Sequence, residues 1–162
     1  MKFYTLLLPL SLAAAAAACS SSSDDGSPDY TCKAYEVPAG TDLTTPQVSF
    51  AADVTPIFKA CTFTSCHGVG TGNGIIFAGD PSTVRAALVG ATPPEIGSMV
   101  FVQPGDYTQS YLMHKIDGDQ CLFNAQCTGG NCGTSMPQGQ SLLSVEDRDK
   151  LRRWIAQGAA DN

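Results

Sequence analysis

Seven cysteines among 162 residues constrain this chain more than any other feature. So many thiols in a short chain point to disulfides, a metal or a covalent cofactor. Their odd number requires a separate job for at least one. With 16 glycines and 10 prolines the chain is loop-rich, and at 15% charged residues it has no material for a long charged helix or coiled coil. The formal net charge is −6. A nucleic-acid binder needs a basic stripe to neutralise phosphates, so no nucleic-acid partner is expected.

Residues 1–18 read as a signal peptide. Met1 and Lys2 make a short positive start, Phe3 to Ala18 runs apolar, and six alanines precede Cys19. The stretch is too short for a membrane span and ends in small residues. Small residues before Cys19, with Ser20 to Ser23 after it, resemble the lipobox of bacterial lipoproteins, although Ala16 stands where that family usually carries Leu. The resemblance implies cleavage before Cys19, lipid on its sulfur, and a membrane-anchored chain facing the periplasm or the cell surface. That compartment is oxidising and permits disulfides.

Residues 19–48 read as a lipid-attached disordered tether. They hold a serine run, Asp24-Asp25, Pro28, Pro38 and Pro46, with no sustained periodicity. Cys32 is the exception, because a disulfide there would tie the tether's later part to the domain. The domain itself is expected over 49–162, all-α, with four or five short helices joined by long loops. Phe50, Val54, Ile57 and Phe58 are spaced for a helix from Ser49 to Ala60, which Pro56 either starts or kinks. Asp80-Pro81 reads as an N-cap with proline at the first helical position, opening a helix to about Val89. Tyr111, Leu112 and Ile116 suit a helix over Thr108 to Ile116. Ser144 and Asp147 make a capping box for a last helix with Leu151, Trp154 and Ile155 as its apolar stripe and Gly158 as its stop. Trp154 is expected in the core. Gly68, Gly70, Gly72 and Gly74 alternate, but no strand leads into a helix there and no basic residue accompanies them, so a phosphate-binding loop is not expected.

The segment Cys61-Thr-Phe-Thr-Ser-Cys66-His67 carries the chemistry. Two cysteines followed directly by histidine is the arrangement that attaches haem c, each thiol adding to a vinyl group while the histidine binds iron. The usual gap between the cysteines is two residues and here it is four, so the extra two must bulge out between the sulfurs. Two other readings of these residues stand beside it. One is a local Cys61–Cys66 disulfide in a haem-free domain. The other is a zinc site from His67 with Cys121, Cys127 and Cys132, whose spacings fit no common zinc pattern.

Taken in order, Asp53-Val-Thr-Pro-Ile-Phe58, Cys61…Cys66-His67-Gly68, Gln103-Pro-Gly-Asp106, Ser110-Tyr-Leu-Met-His-Lys-Ile116, Met136-Pro137 and the final Ser144…Trp154-Ile155-Ala-Gln-Gly158 helix resemble a class I cytochrome c domain. They are most similar to the small planctomycete-type modules, and the resemblance spans about residues 50 to 160. It implies one covalent haem c, with Cys61 and Cys66 as thioether anchors, His67 as proximal ligand and Met136 as distal ligand. Met99, Met113 and His114 compete for the distal position, His114 reading better as a surface or supporting residue. A His/Met pair raises the reduction potential and leaves no open coordination position. The implied function is one-electron transfer with redox partner proteins rather than enzymatic turnover. The alternatives are a haem-free, disulfide-stapled lipoprotein acting as a binding or structural module, and a haem protein with an open distal site.

With Cys19 assigned to lipid and two cysteines to haem, Cys32, Cys121, Cys127 and Cys132 remain. Four cysteines allow two disulfides in three connectivities. One within the Cys121 to Cys132 loop would stiffen the segment that presents Met136.

Overall fold

The structure is a computed structural model, and it describes residues 32–70 and 74–162. The expected signal, the lipid site Cys19, the first part of the tether and Gly72 lie outside the described residues.

Ser49 opens the first helical unit. Its Oγ accepts from the Ala52 amide at 3.1 Å, and its own amide donates to Asp53 Oδ2 at 2.8 Å. Pro56 has no N–H to continue an ordinary ladder. The chain therefore winds first through a π-helical turn, Phe50–Val54, then into α1, Thr55–Phe58, with Pro56 in its first turn, and closes in a 3-10 turn, Lys59–Cys61. The helix α2, Pro81–Leu88, starts as expected, with Asp80 accepting from the Thr83 amide at 3.0 Å and Pro81 at the first helical position.

The helix expected over Thr108 to Ile116 is divided. A 3-10 turn, Tyr107–Gln109, is capped by Asp106, and α3 then runs Tyr111–Asp117. The break is at Ser110, which is fully buried and extended. Its Oγ donates to the Asp106 carbonyl and accepts from the Gln103 amide, so side-chain bonds replace helix continuity there. Gly118 ends α3 in the left-handed conformation at φ 80°. Two 3-10 segments follow, Gln120–Gln126 and Thr128–Gly130. The last helix, α4, is Val145–Ala156, with Ser144 accepting from the Asp147 amide as the capping box predicts. Among the described residues there is no strand, only isolated bridges such as Val89 with Val102. The domain is helical, as the all-α expectation has it.

The core forms where the first unit meets α4. Phe50, Val54 and Phe58 pack with Leu151, Trp154 and Ile155, joined by Leu112, Met113 and Ile116 from α3 and by Val84 and Leu88 from α2. The Phe50 and Trp154 rings lie 4.9 Å apart. Asn162 completes the join. Its backbone oxygen accepts from the Ala51 amide and Ser49 Oγ, and its Oδ1 accepts from the Phe50 amide, which supplies acceptors to first-turn donors that no helix satisfies internally. A second, smaller cluster gathers Ile96, Met99, Tyr111, Cys127 and Cys132.

The described part of the expected tether departs from that expectation. Residues 32–48 are fastened along the domain. Cys32 is disulfide-bonded to Cys121 across 89 residues of sequence. Arg153 donates to the Asp42 carbonyl, Gln157 holds the backbone of Thr44, Pro46 and Val48, and Val48 is buried. Residues 32–48 thus lie in contact with the domain expected from residue 49 onward. The segment's lack of periodicity is real, but its anchoring comes from the disulfide to Cys121 and from side chains in and at the end of α4, not from a pattern of its own.

Candidate functional site

Cys61 ends its 3-10 turn, and the chain then folds back on itself. The amides of Cys66 and Gly68 both donate to the Phe63 carbonyl at 2.9 Å, and the His67 amide donates to the Cys61 carbonyl at 3.0 Å. The residues between the sulfurs face outward, Phe63 exposing 66% of its surface. Cys61 and Cys66 are half-buried and keep their thiols, while the other four cysteines among the described residues pair. Burial pushes the Cys61 thiol up, and the nearby Cys66 sulfur pushes it further.

Gly68 allows this fold-back. A Cβ at that position would lie 2.5 Å from the Thr62 carbonyl oxygen and 2.9 Å from the Phe63 carbonyl, both backbone atoms that cannot swing aside. Gly68→Ala is expected to lose about 1–3 kcal/mol of unfolding free energy, read as a lower denaturant midpoint. An unchanged midpoint would mean that the loop relaxes freely.

His67 is oriented through its ring. Nδ1 donates to the Ile75 carbonyl at 2.9 Å, which places a proton on Nδ1 and fixes the plane of the ring. The Phe77 amide donates back to the His67 carbonyl, and the Phe77 ring meets the imidazole edge-on at 5.0 Å while stacking on Phe58 at 4.3 Å. The imidazole is thus held from the core side. Nothing in the sequence marked Ile75 or Phe77 for this role beyond their apolar character after a glycine run.

Met136 comes from the other end of the domain. Its amide donates to the Lys115 carbonyl at 2.8 Å, and its half-buried side chain packs against the main core that Cys61 also borders. The approach to Met136 is braced by the Cys127–Cys132 disulfide, so the expected staple within the Cys121 to Cys132 loop is present. The Cys132 carbonyl accepts from Lys115 Nζ at 2.9 Å and Tyr111 Oη at 3.1 Å, while Gln120 Nε2 donates to the Gly133 carbonyl. Burial lowers the Lys115 ammonium to about 8 against the opposing pull of Glu95, and burial with Glu95 pushes the Tyr111 hydroxyl up to about 12.

Met113 is 1% exposed in the main core and Met99 is 7% exposed in the smaller cluster. Both ring nitrogens of His114 are engaged, Nδ1 with Asp119 at 2.8 Å and Nε2 with the Thr108 carbonyl at 3.1 Å. Cys121, Cys127 and Cys132 are oxidised in disulfides, which leaves no thiolates for the zinc set with His67. Among the described residues, no three His, Cys, Asp or Glu side chains form a metal cluster. An open apolar groove of about 560 Å³ runs beside the His67 loop, lined by Val69, Ile75, Ile76, Val84, Ala87 and Phe101 among others. The Cys61, Cys66, His67 and Met136 side chains are not part of its lining.

The chain matches no protein-family model, no curated protein and no solved structure.

Proposed function

We propose that this chain is a one-electron carrier with a single covalent haem c, held by Cys61, Cys66, His67 and Met136 and anchored to a bacterial envelope membrane through lipid on Cys19. The observation that carries the reading is the division among the cysteines. Among the described residues Cys32, Cys121, Cys127 and Cys132 form two disulfides that do not include the two cysteines beside His67, and the imidazole turns its Nδ1 to a backbone carbonyl.

The donor set suits the group. Attachment needs reduced sulfurs, since each S–H adds across a vinyl double bond with no net oxidation, and both thiols are present. Iron ligation by a histidine is favoured when the other ring nitrogen is hydrogen-bonded, and His67 Nδ1 is held in that way by the Ile75 carbonyl. Met136 contributes a soft thioether from a loop braced by a disulfide and by Lys115. Bound by these residues, haem c supplies reversible exchange of one electron at iron. The protein's part would be to orient His67 and Met136 as the two iron ligands, with Phe77, itself stacked on Phe58, giving the His67 ring an apolar, low-dielectric side. The two disulfides accord with an oxidising compartment outside the cytoplasm.

The test is to express the full chain in a host with haem-attachment machinery and purify the mature protein. It should be red, keep its colour on denaturation, and carry the added mass of one haem. Replacing Cys61 and Cys66 together with serine should abolish that mass. A colourless wild-type product would sink the proposal in favour of a haem-free stapled module. Ready binding of carbon monoxide by the reduced protein would instead show Met136 not to be the sixth ligand.

A further inference from the structure

Segment 32–48 is restrained at Cys32 by the disulfide to Cys121 and at Asp42 by Arg153, and between them at one further point. There the Tyr35 amide donates to Asp119 Oδ2 at 3.0 Å. The other oxygen of Asp119 lies 2.8 Å from His114 Nδ1, and His114 Nε2 lies 3.1 Å from the Thr108 carbonyl oxygen. A carboxylate and a carbonyl can only accept, so both ring nitrogens must donate, and only the imidazolium does that. A neutral ring would set a lone pair against one of the two acceptors. The ring is 14% exposed and packed at 4.4 Å on Phe123, so water does not easily replace a lost partner.

We propose that the His114 imidazolium is a pH-operated latch, holding Tyr35 down through Asp119 and releasing it when the ring loses its proton. With the ring neutral, Asp119 becomes a carboxylate, 5% exposed, without its cation, and its hold on the Tyr35 amide weakens as it seeks water. The moving part is the arc from Lys33 to Thr41. Its Tyr35 ring covers the guanidinium groups of Arg148 and Arg152 at 4.4 and 4.8 Å, so opening uncovers that pair.

The charges around His114 bear this out. Asp119 faces it from the turn after α3, and Asp117 adds a second negative charge from its own helix. The flanking 3-10 segments present the Thr108 carbonyl and the Phe123 ring, neither charged. Lys115 directs its ammonium to the Cys132 carbonyl. From α4, Arg148 and Arg152 are engaged with Asp117 and the Tyr35 ring. Lys33 and Glu36 flank Tyr35 as exposed residues. Burial works against the charged ring, yet the Asp119 hydrogen bond and charge, the Thr108 carbonyl and Asp117 together raise His114 above its ordinary value. A group raised in the folded state contributes fully below its unfolded pKa, and its contribution is lost as pH rises through the folded one. The latch is therefore closed in acid and opens on the alkaline side.

This latch does not depend on haem. It is tested by NMR on the mature, disulfide-intact chain, titrated from acid through neutral to alkaline pH. His114 ring signals should titrate above the ordinary histidine value. Tyr35 amide and ring signals should move with the same midpoint, and Tyr35 amide exchange should accelerate there beyond the base-catalysed rise of the Val48 amide, which Gln157 holds. Asp119→Asn should lower the His114 midpoint and uncouple Tyr35 from it. His114→Gln should leave Tyr35 without a transition while Val48 stays protected. A His114 midpoint at or below the ordinary value, or Tyr35 signals flat through it, overturns the proposal. The wild-type titration decides alone if either variant fails to fold.

Discussion

Asp117→Ala should cost about 3–5 kcal/mol of unfolding free energy, the scale seen when one partner of a buried ion pair is removed. Asp117 ends α3, and its two oxygens serve two arginines of α4, Arg148 at 2.9 Å and Arg152 at 2.7 Å. The Arg152 side chain is fully buried and that of Arg148 is 9% exposed, so neither guanidinium can turn to bulk water when the carboxylate goes. Arg152 would keep Asp149, and both would keep the Tyr35 ring above them. Those contacts do not match a carboxylate shared between two cations. Burial alone works to raise the Asp117 carboxyl, and the arginines oppose it, which is why the cluster is stable only as a set. Asp149→Ala removes a more exposed acid from one arginine and should cost less. The measurement is chemical denaturation of both variants beside the wild type. A loss for Asp117→Ala below about 1 kcal/mol, the level of an exposed pair, would mean that the arginines are hydrated.

Trp154→Ala should be as severe, about 3–5 kcal/mol for an aromatic removed from a packed core. Trp154 is fully buried, lies against Phe50, and donates from Nε1 to the Ala160 carbonyl at 3.0 Å. The cavity would open where the first helical unit meets α4, and the Ala160 carbonyl would lose its donor. Trp154→Phe keeps most of the volume and should cost less, including about 1 kcal/mol for the lost hydrogen bond. Trp154 is the only tryptophan, so unfolding of both variants is followed by far-UV circular dichroism. Equal losses for the two variants would place the energy in the hydrogen bond and not in packing.

Local chemistry was legible in the chain. Caps at Asp80 and Ser144, the apolar stripe of Leu151, Trp154 and Ile155, and the core positions Phe50, Val54 and Phe58 follow from spacing and capping, because those depend on neighbours within a turn or two. The odd cysteine count and the Cys61…Cys66-His67 segment likewise stood out as sequence. The division of the third helix did not, since it depends on Ser110 Oγ bonding to Gln103 and Asp106. Nor did the anchoring of residues 32–48, which has no periodicity and is held by Gln157 and Arg153 more than 100 residues away in sequence.

The sequence by itself determined the capped starts of α2 and α4 and which residues are apolar enough to form the core, and it singled out Cys61, Cys66, His67 and Met136 as candidates. Only the tertiary structure decided which cysteines pair, choosing Cys32–Cys121 and Cys127–Cys132 among three connectivities and keeping Cys61 and Cys66 out of both. It also brought Tyr35, Asp117, Asp119, Arg148 and Arg152 into one buried cluster. The reason is range. Helix caps and stripes are set by bonds between near neighbours, whereas disulfides, buried ion pairs and a stacked tyrosine join segments whose proximity exists only once the core has formed.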